Sequence, residues 1–360
     1  MPLISRRICV WAVMAVLSST SQLATLEGQS SGETSAVLNN TVLTVIGTGG
    51  ADAIVVSADF DDGTLQVSHN GRSVPIAVIS GVPNKAKLNF VSADARGGND
   101  TVLLAETLNT RDTSGALVAA PNGVILGGGG DDTLASDIGG NLGSVPGNRI
   151  VGNVVIDGGG GNDRLISGSG NDVLIGGTGN DTLIARPGAQ GDRFEGGGGD
   201  DVAEVIGISN NTADTFLIRA DPASPGEVLV QRTDPLPFVI RMSQIEEIDL
   251  RPESGNDFVV LSGLAGTTLK KVFVDGGYGD DFIAGFGLFG DAGIPLRLEG
   301  GPGLDTLFGG SGNDFLDGGH PGGFVEDTDR LWGGPGADVF KSWAFDEYPD
   351  FNSGEGDVRF

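Results

Sequence analysis

The sequence predicts an all-β chain wound as a parallel solenoid, and three observations carry that expectation. From Gly158 three nonapeptides follow one another without a gap, GGGGNDRLI, SGSGNDVLI and GGTGNDTLI, with Asp163, Asp172 and Asp181 at the sixth position and Leu165, Leu174 and Leu183 at the eighth. Glycine makes up 63 of 360 residues, more than twice the usual share of about 7% and without the period of three that marks collagen. Between the Gly-rich blocks lie strand-like runs of Val, Ile and Thr, and this arrangement occurs twice along the chain.

A Gly-rich hexapeptide forms a turn through backbone angles closed to residues with a Cβ, and the next three residues make a short strand whose eighth position points inward. One nonapeptide is then half a coil. Loops nine residues apart fall on opposite edges, and loops eighteen apart stack on the same edge. A single Gly-Asn-Asp run reads as an ordinary solvated turn, but repetition removes that reading. Further copies start at Gly127, Gly196, Gly276, Gly300, Gly309 and Gly333, a spread copy runs from Gly318 to Trp332, and a copy with two extra residues ends in GAQGDRFE. The sixth-position aspartates are Asp132, Asp163, Asp172, Asp181, Asp192, Asp201, Asp281, Asp305, Asp314, Asp329 and Asp338. The eighteen-residue rule puts Asp163, Asp181 and Asp201 on one edge and Asp172 with Asp192 on the other; Asp305 pairs with Asp329 and Asp314 with Asp338. It leaves Asp132 and Asp281 without an evident same-edge partner.

In chain order, residues 1–21 carry Arg6 and Arg7, an apolar run from Ile8 to Leu17 and then small residues, the pattern of a secretory signal peptide too short to span a membrane. Residues 22–40 are small and polar, as in a linker. A strand-and-hairpin module at 41–122 is followed by repeat block 123–204, a second module at 205–269, a second block at 270–341 and a C-terminal aromatic cap at 342–360. The modules match piece by piece: Glu204–Ala220 answers Thr44–Ala58, GEVLVQRTD answers GTLQVSHNG, and Ile245–Leu261 answers Lys87–Leu104. Asp52 and Asp100 sit in degenerate repeat loops, and Asp257 is the counterpart of Asp100. Phe340, Trp343, Phe345, Tyr348, Phe351 and Phe360 gather at the end of the chain, where a solenoid must cover its last open core.

The nonapeptides resemble the RTX, or hemolysin-type, calcium-binding repeats of secreted bacterial proteins. The resemblance implies a parallel β-roll that orders on meeting calcium outside the cell, several bound calcium ions, the eleven aspartates as metal ligands and a secreted or cell-surface bacterial location. Ca²⁺ takes six to eight hard oxygens in loose geometry, which short carboxylates and Gly-loop carbonyls can supply together.

The net charge of −27 and pI near 4.1 repel nucleic acid and anionic membranes and attract cations. The one cysteine, Cys9, lies within the signal segment, so the exported chain has no thiol or disulfide. Two histidines, His69 and His320, read as surface residues; no H-E-x-x-H, G-x-S-x-G or G-K-[ST] motif appears. Asp59–Gly63 reads as a turn, since its Gly comes one residue too early for an EF-hand and no Glu closes a loop. No long apolar segment follows the signal. The reading is a secreted, calcium-binding structural or adhesive protein without catalytic residues, its partners calcium and a cell-surface polysaccharide or the envelope. The alternative is a polysaccharide lyase, epimerase or glycosidase built on a calcium-stabilised solenoid.

Overall fold

A computed structural model describes residues 33–59, 61–111, 117–136, 152–186, 191–208, 211–234, 237–288, 290–319, 328–341 and 346–360. The expected signal peptide, most of the expected linker, His320, Trp343, Phe345 and the middle of the spread copy lie outside the described residues. Two long sheets, of 15 and 14 strands, run the length of the molecule. Among the described residues there is no α-helix, only single 3₁₀ turns at Lys85–Lys87 and Glu106–Leu108. Among these residues no helix is long and apolar enough to cross a membrane.

One coil shows the construction. Val154–Gly160 lies in the first sheet, a loop carrying Asp163 crosses to Arg164–Ile166 in the second, and a loop carrying Asp172 returns to Val173–Thr178 in the first. Successive coils pair in parallel at the repeat spacing, Ile156 against Leu174 and Leu165 against Leu183. The two extra residues before Asp192 are absorbed in the loop, so Leu174 still meets Phe194. Side chains alternate across each strand, and Ile156, Leu165, Leu174, Leu183 and Phe194 point into a shared interior with no exposed surface. Burying each contributes about 1.5–3 kcal/mol, but only once a neighbouring coil covers it, so coils stand or fall with their neighbours. The sequence suggested strands of about three residues. That length holds at Arg164–Ile166 in the second sheet and at Thr306–Phe308 and Phe315–Asp317 in the second block; in the first sheet of the first block the leading glycines of the following repeat stay extended and pair, Gly159 with Gly177, giving strands of six to eight residues.

The structured region begins earlier than the expected linker boundary: Ser35–Asn39 is a strand, folded back antiparallel on Val42–Ile46 through a tight turn in which Asn40 has φ 53°. The two halves form one solenoid. In the second sheet Thr182–Ala185, Val202–Ile208, Glu247–Glu253 and Lys271–Asp275 pair in unbroken parallel succession. In the first sheet an antiparallel meander of Phe238–Ser243, Val228–Asp234 and Thr215–Ala220 bridges from Arg193–Gly198 to Phe258–Ser262.

The duplicated modules are half a coil out of phase. Val42–Ile46 lies in the first sheet while its counterpart Val202–Ile208 lies in the second, and Ala53–Ala58 and Thr215–Ala220 are exchanged in the same way. The cause is local: Val202–Ile208 serves both as the last strand of the first repeat block and as the first strand of the second module. At the C-terminus Phe340, fully buried, meets Tyr348 and Phe351 edge-on at 5.5 and 5.9 Å, and Val358–Arg359 pairs with Val339–Lys341 to extend the second sheet. His69 departs from its expected surface position: it is half-buried against Asp52.

Candidate metal centre

Every crossing loop turns its sixth-position aspartate inward, and all eleven predicted residues are at most 2% exposed. Their shared arrangement follows from the coil period. The backbone N–H of one aspartate donates to Oδ1 of the aspartate one coil further on, which builds a ladder along the edge. In the first half Asp52 donates to Asp100, Asp100 to Asp132, Asp132 to Asp163, Asp163 to Asp181 and Asp181 to Asp201, each at 2.8 Å. Asp201 then donates to Glu246 at 2.9 Å. The opposite edge carries a short ladder from Val154 to Asp172 to Asp192.

In the second half the long ladder runs from Asp214 through Asp257, Asp281 and Asp305 to Asp329, and the short one from Leu296 through Asp314 and Asp338 to Asp357. Because of the half-coil displacement, the second long ladder occupies the edge that held the short one in the first half. Asp132 and Asp281, expected to lack partners, each sit mid-ladder: the hairpin excursions and loop insertions hid their neighbours Asp100 and Asp257 in sequence.

The second carboxylate oxygen distinguishes these loops from ordinary turns. Oδ2 of Asp100, Asp132, Asp163, Asp181, Asp201, Asp257, Asp281, Asp305, Asp314 and Asp338 is buried and accepts no hydrogen bond. A buried carboxylate oxygen without a donor or a cation is costly. In the regular repeats this oxygen faces the first glycine of its own loop. A Cβ on Gly158 would lie 2.3 Å from Asp163 Oδ2 and 2.7 Å from the Gly176 carbonyl oxygen one coil on; at Gly300 the corresponding distances, to Asp305 Oδ2 and the Gly318 oxygen, are 2.3 and 2.6 Å. The first glycine thus keeps clear a cradle faced by a carboxylate oxygen and a carbonyl oxygen. That donor set suits a hard cation.

Among the described residues no three His, Cys, Asp or Glu side chains converge on one point. An ion between stacked loops would therefore take most of its ligands from backbone carbonyls, as the loose, oxygen-only coordination of Ca²⁺ permits. Asp172 departs from the pattern: the Gly168 N–H donates to its Oδ2 at 3.0 Å, so both its oxygens are engaged by the protein.

The electrostatics agree with this geometry. Burial, the largest influence throughout, pushes these carboxyls up; the N–H donated from the preceding coil pulls them back, and neighbouring carboxylates raise most of them further. Asp163, Asp281 and Asp314 are raised to about 7, Asp305 to about 9, and Asp132, Asp172, Asp201, Asp257 and Asp338 to about 6, while Asp181 is shifted in the same direction. Without a counter-cation the loops resist ionisation.

The sequence placed Asp100 and Asp257 in repeat-like loops but did not count them with the eleven. Their tails, Asn99-Asp100-Thr101-Val102 and Asn256-Asp257-Phe258-Val259, keep the pattern, but Ala95-Arg96 and Pro252-Glu253 replace the two opening glycines. Arg96 and Glu253 adopt φ of 77° and 86°, in the left-handed region where regular repeats use a glycine such as Gly128.

Comparison with protein families matches four stretches, residues 152–174, 166–203, 297–319 and 326–344, to the RTX calcium-binding nonapeptide repeat. They overlap the two repeat blocks, the last reaching into the expected C-terminal cap, and together span about a quarter of the chain. Comparison with curated proteins returns no match. The stacked loops and the buried aspartate ladders give these stretches the parallel β-roll architecture, and the four matches identify them as similar to RTX calcium-binding nonapeptide repeats.

Proposed function

We propose that this is an exported structural or adhesive protein whose roll is completed by calcium at the concentration found outside cells. The ions sit between stacked loops, each drawing on Oδ2 of a ladder aspartate and on carbonyls of the Gly-rich turns. Asp132, Asp163, Asp181, Asp192, Asp201, Asp281, Asp305, Asp314, Asp329 and Asp338 supply the carboxylates of the regular repeats, and Asp100 and Asp257 extend the ladders. The observation that carries the reading is the buried, donor-free Oδ2 facing a cradle that only glycine leaves open. Calcium supplies the positive charge that makes the ionised ladder tolerable in the interior. Each ion bound only to the folded form adds RT ln(1 + [Ca²⁺]/Kd), about 1.4 kcal/mol for a Kd of about 10⁻⁴ M at about 1 mM calcium.

A handful of such sites equals the whole stability of a typical domain, about 5–15 kcal/mol, so the chain is set to fold outside the cell and remain open where free calcium is low. The signal-like segment 1–21 and the acidic net charge support export and a task at the cell surface, with a polysaccharide or the envelope as the partner class. Calcium titration followed by circular dichroism and hydrodynamic radius tests the central claim. A chelated chain with the spectrum and radius of the calcium-loaded one would overturn it. A glycan-binding screen on the calcium-loaded protein tests the adhesive role, and no retention on any glycan or envelope fraction would remove it.

A further inference from the structure

Besides that of Asp172, two loops break the rule of the donor-free oxygen, and these two occupy equivalent places. Asp52 opens the ladder of the first half and Asp214 that of the second. Both keep the loop geometry of the regular repeats: a Cβ on Gly47 would lie 2.6 Å from Asp52 Oδ2, and one on Gly207 would lie 2.6 Å from Asp214 Oδ2. In both, however, the strand following the loop is flanked by a hairpin strand in place of a preceding coil. Ala53–Ala58 pairs antiparallel with Leu65–His69, and Thr215–Ala220 with Val228–Asp234. Each is the first aspartate of its ladder among the described residues.

In each case the hairpin strand supplies a basic side chain. His69 lies opposite Ile54 in the register, and Arg232 lies opposite Phe216. His69 Nε2 is 2.8 Å from Asp52 Oδ1, while the Thr48 backbone N–H donates to Oδ2 at 2.6 Å and the Thr48 hydroxyl to Oδ1 at 2.9 Å. Arg232 Nη1 is 3.7 Å from Asp214 Oδ2, both side chains are completely buried, and the guanidinium lies 4.8 Å from the centre of the Phe238 ring. An arginine inside a solenoid otherwise lined with Val, Leu and Ile is too costly to be tolerated without a buried anion beside it. Its placement on Asp214, matched by His69 on Asp52 in a module of different sequence, marks a common device.

We infer that His69 and Arg232 take, at the first loop of each half, the place that calcium takes in the loops behind it, so that each half opens with a metal-independent coil on which the calcium-dependent coils assemble. The inference rests on the calcium reading of the remaining loops. It assigns Asp52 and Asp214 a side chain of the protein in place of a metal and gives the strand-and-hairpin modules a function: they are ordered before calcium arrives and present a finished edge to the first repeat.

Hydrogen exchange on the full chain in chelator, read by mass spectrometry, tests this. Peptides spanning 53–69 and 215–234 should exchange at least about tenfold more slowly than peptides spanning 158–183 and 298–317, which should gain protection only when calcium is added. Equilibrium dialysis should show Asp52→Asn and Asp214→Asn binding as many ions as the wild type, while Asp163→Asn binds fewer. Arg232→Met should lose the chelator protection of 215–234, and Arg232→Lys should keep most of it. Uniform exchange across all four segments in chelator, or loss of an ion in Asp214→Asn, overturns the inference while leaving the calcium reading intact. A wild-type chain that binds no calcium in dialysis overturns that reading and the inference with it. If Arg232→Met fails to fold even with calcium, the wild-type exchange pattern and the two aspartate variants still decide the matter.

Discussion

Replacing Asp305 by Asn should change stability in opposite directions with and without calcium. Asn is nearly isosteric and keeps Oδ1 as acceptor for the Asp281 N–H, a bond of 2.8 Å in the wild type. The carboxyl of Asp305 is raised to about 9 from 3.8. A group raised on folding contributes its stability below the unfolded value and loses it as pH rises toward the folded one. At pH 7 the unfolded carboxylate is ionised, and folding without metal must protonate it, which costs on the order of 4 kcal/mol.

Asn is already neutral, so in chelator the variant should retain more β structure than the wild type. In calcium the order should reverse, because the carboxylate oxygen that faces Gly300 beside the Gly318 carbonyl is gone. Loss of one ion at about 1 mM calcium removes about 1.4 kcal/mol of the calcium response, and more if the ion is shared between stacked loops. Urea denaturation at pH 7, in chelator and in calcium, with ions counted by equilibrium dialysis, reads both halves of the prediction. A variant destabilised equally under both conditions and binding the wild-type number of ions would show that Asp305 is only a ladder hydrogen-bond acceptor, and the argument from the donor-free oxygen would fail.

Other expectations follow from the same geometry. Where mild acid holds the calcium-free chain folded, calcium binding should release protons, since buried Asp163, Asp281 and Asp314 are raised to about 7; calorimetry in buffers of different ionisation enthalpy measures the number, and zero release from the folded form would contradict the buried-ladder electrostatics. Calcium-free protein should gain β signal as pH falls from about 7 toward about 4, because these raised carboxyls favour the folded chain when protonated; a monotonic loss of circular dichroism on acidification would go against this. Asp181→Asn should lower bound calcium, whereas Asp172→Asn, whose two oxygens already accept N–H donors, should lower it less; equal losses measured by dialysis would refute the distinction. Protein prepared without chelator should contain calcium and no stoichiometric zinc or other transition metal by elemental analysis, and a transition metal at one per chain would reopen the enzymatic alternative.

Local physics made much of this protein readable from its sequence. The nonapeptide period fixes half a coil, the eighth-position Leu165, Leu174 and Leu183 fix the inward face, and eighteen-residue spacing fixes which aspartates share an edge, because each of these depends only on residues close in the chain. The internal duplication was also visible, from Asp100 and Asp257 in matching contexts. What only the tertiary structure decided depends on what stacks against each coil. Asp132 finds its neighbour Asp100 across a long insertion, and Asp281 finds Asp257. Asp172 proves to be engaged by the Gly168 N–H. The second half is turned by half a coil because Val202–Ile208 is shared between block and module. His69 and Arg232, unremarkable in a one-dimensional reading, meet Asp52 and Asp214 because an antiparallel hairpin register, set by loop lengths and not by a repeat, carries them there.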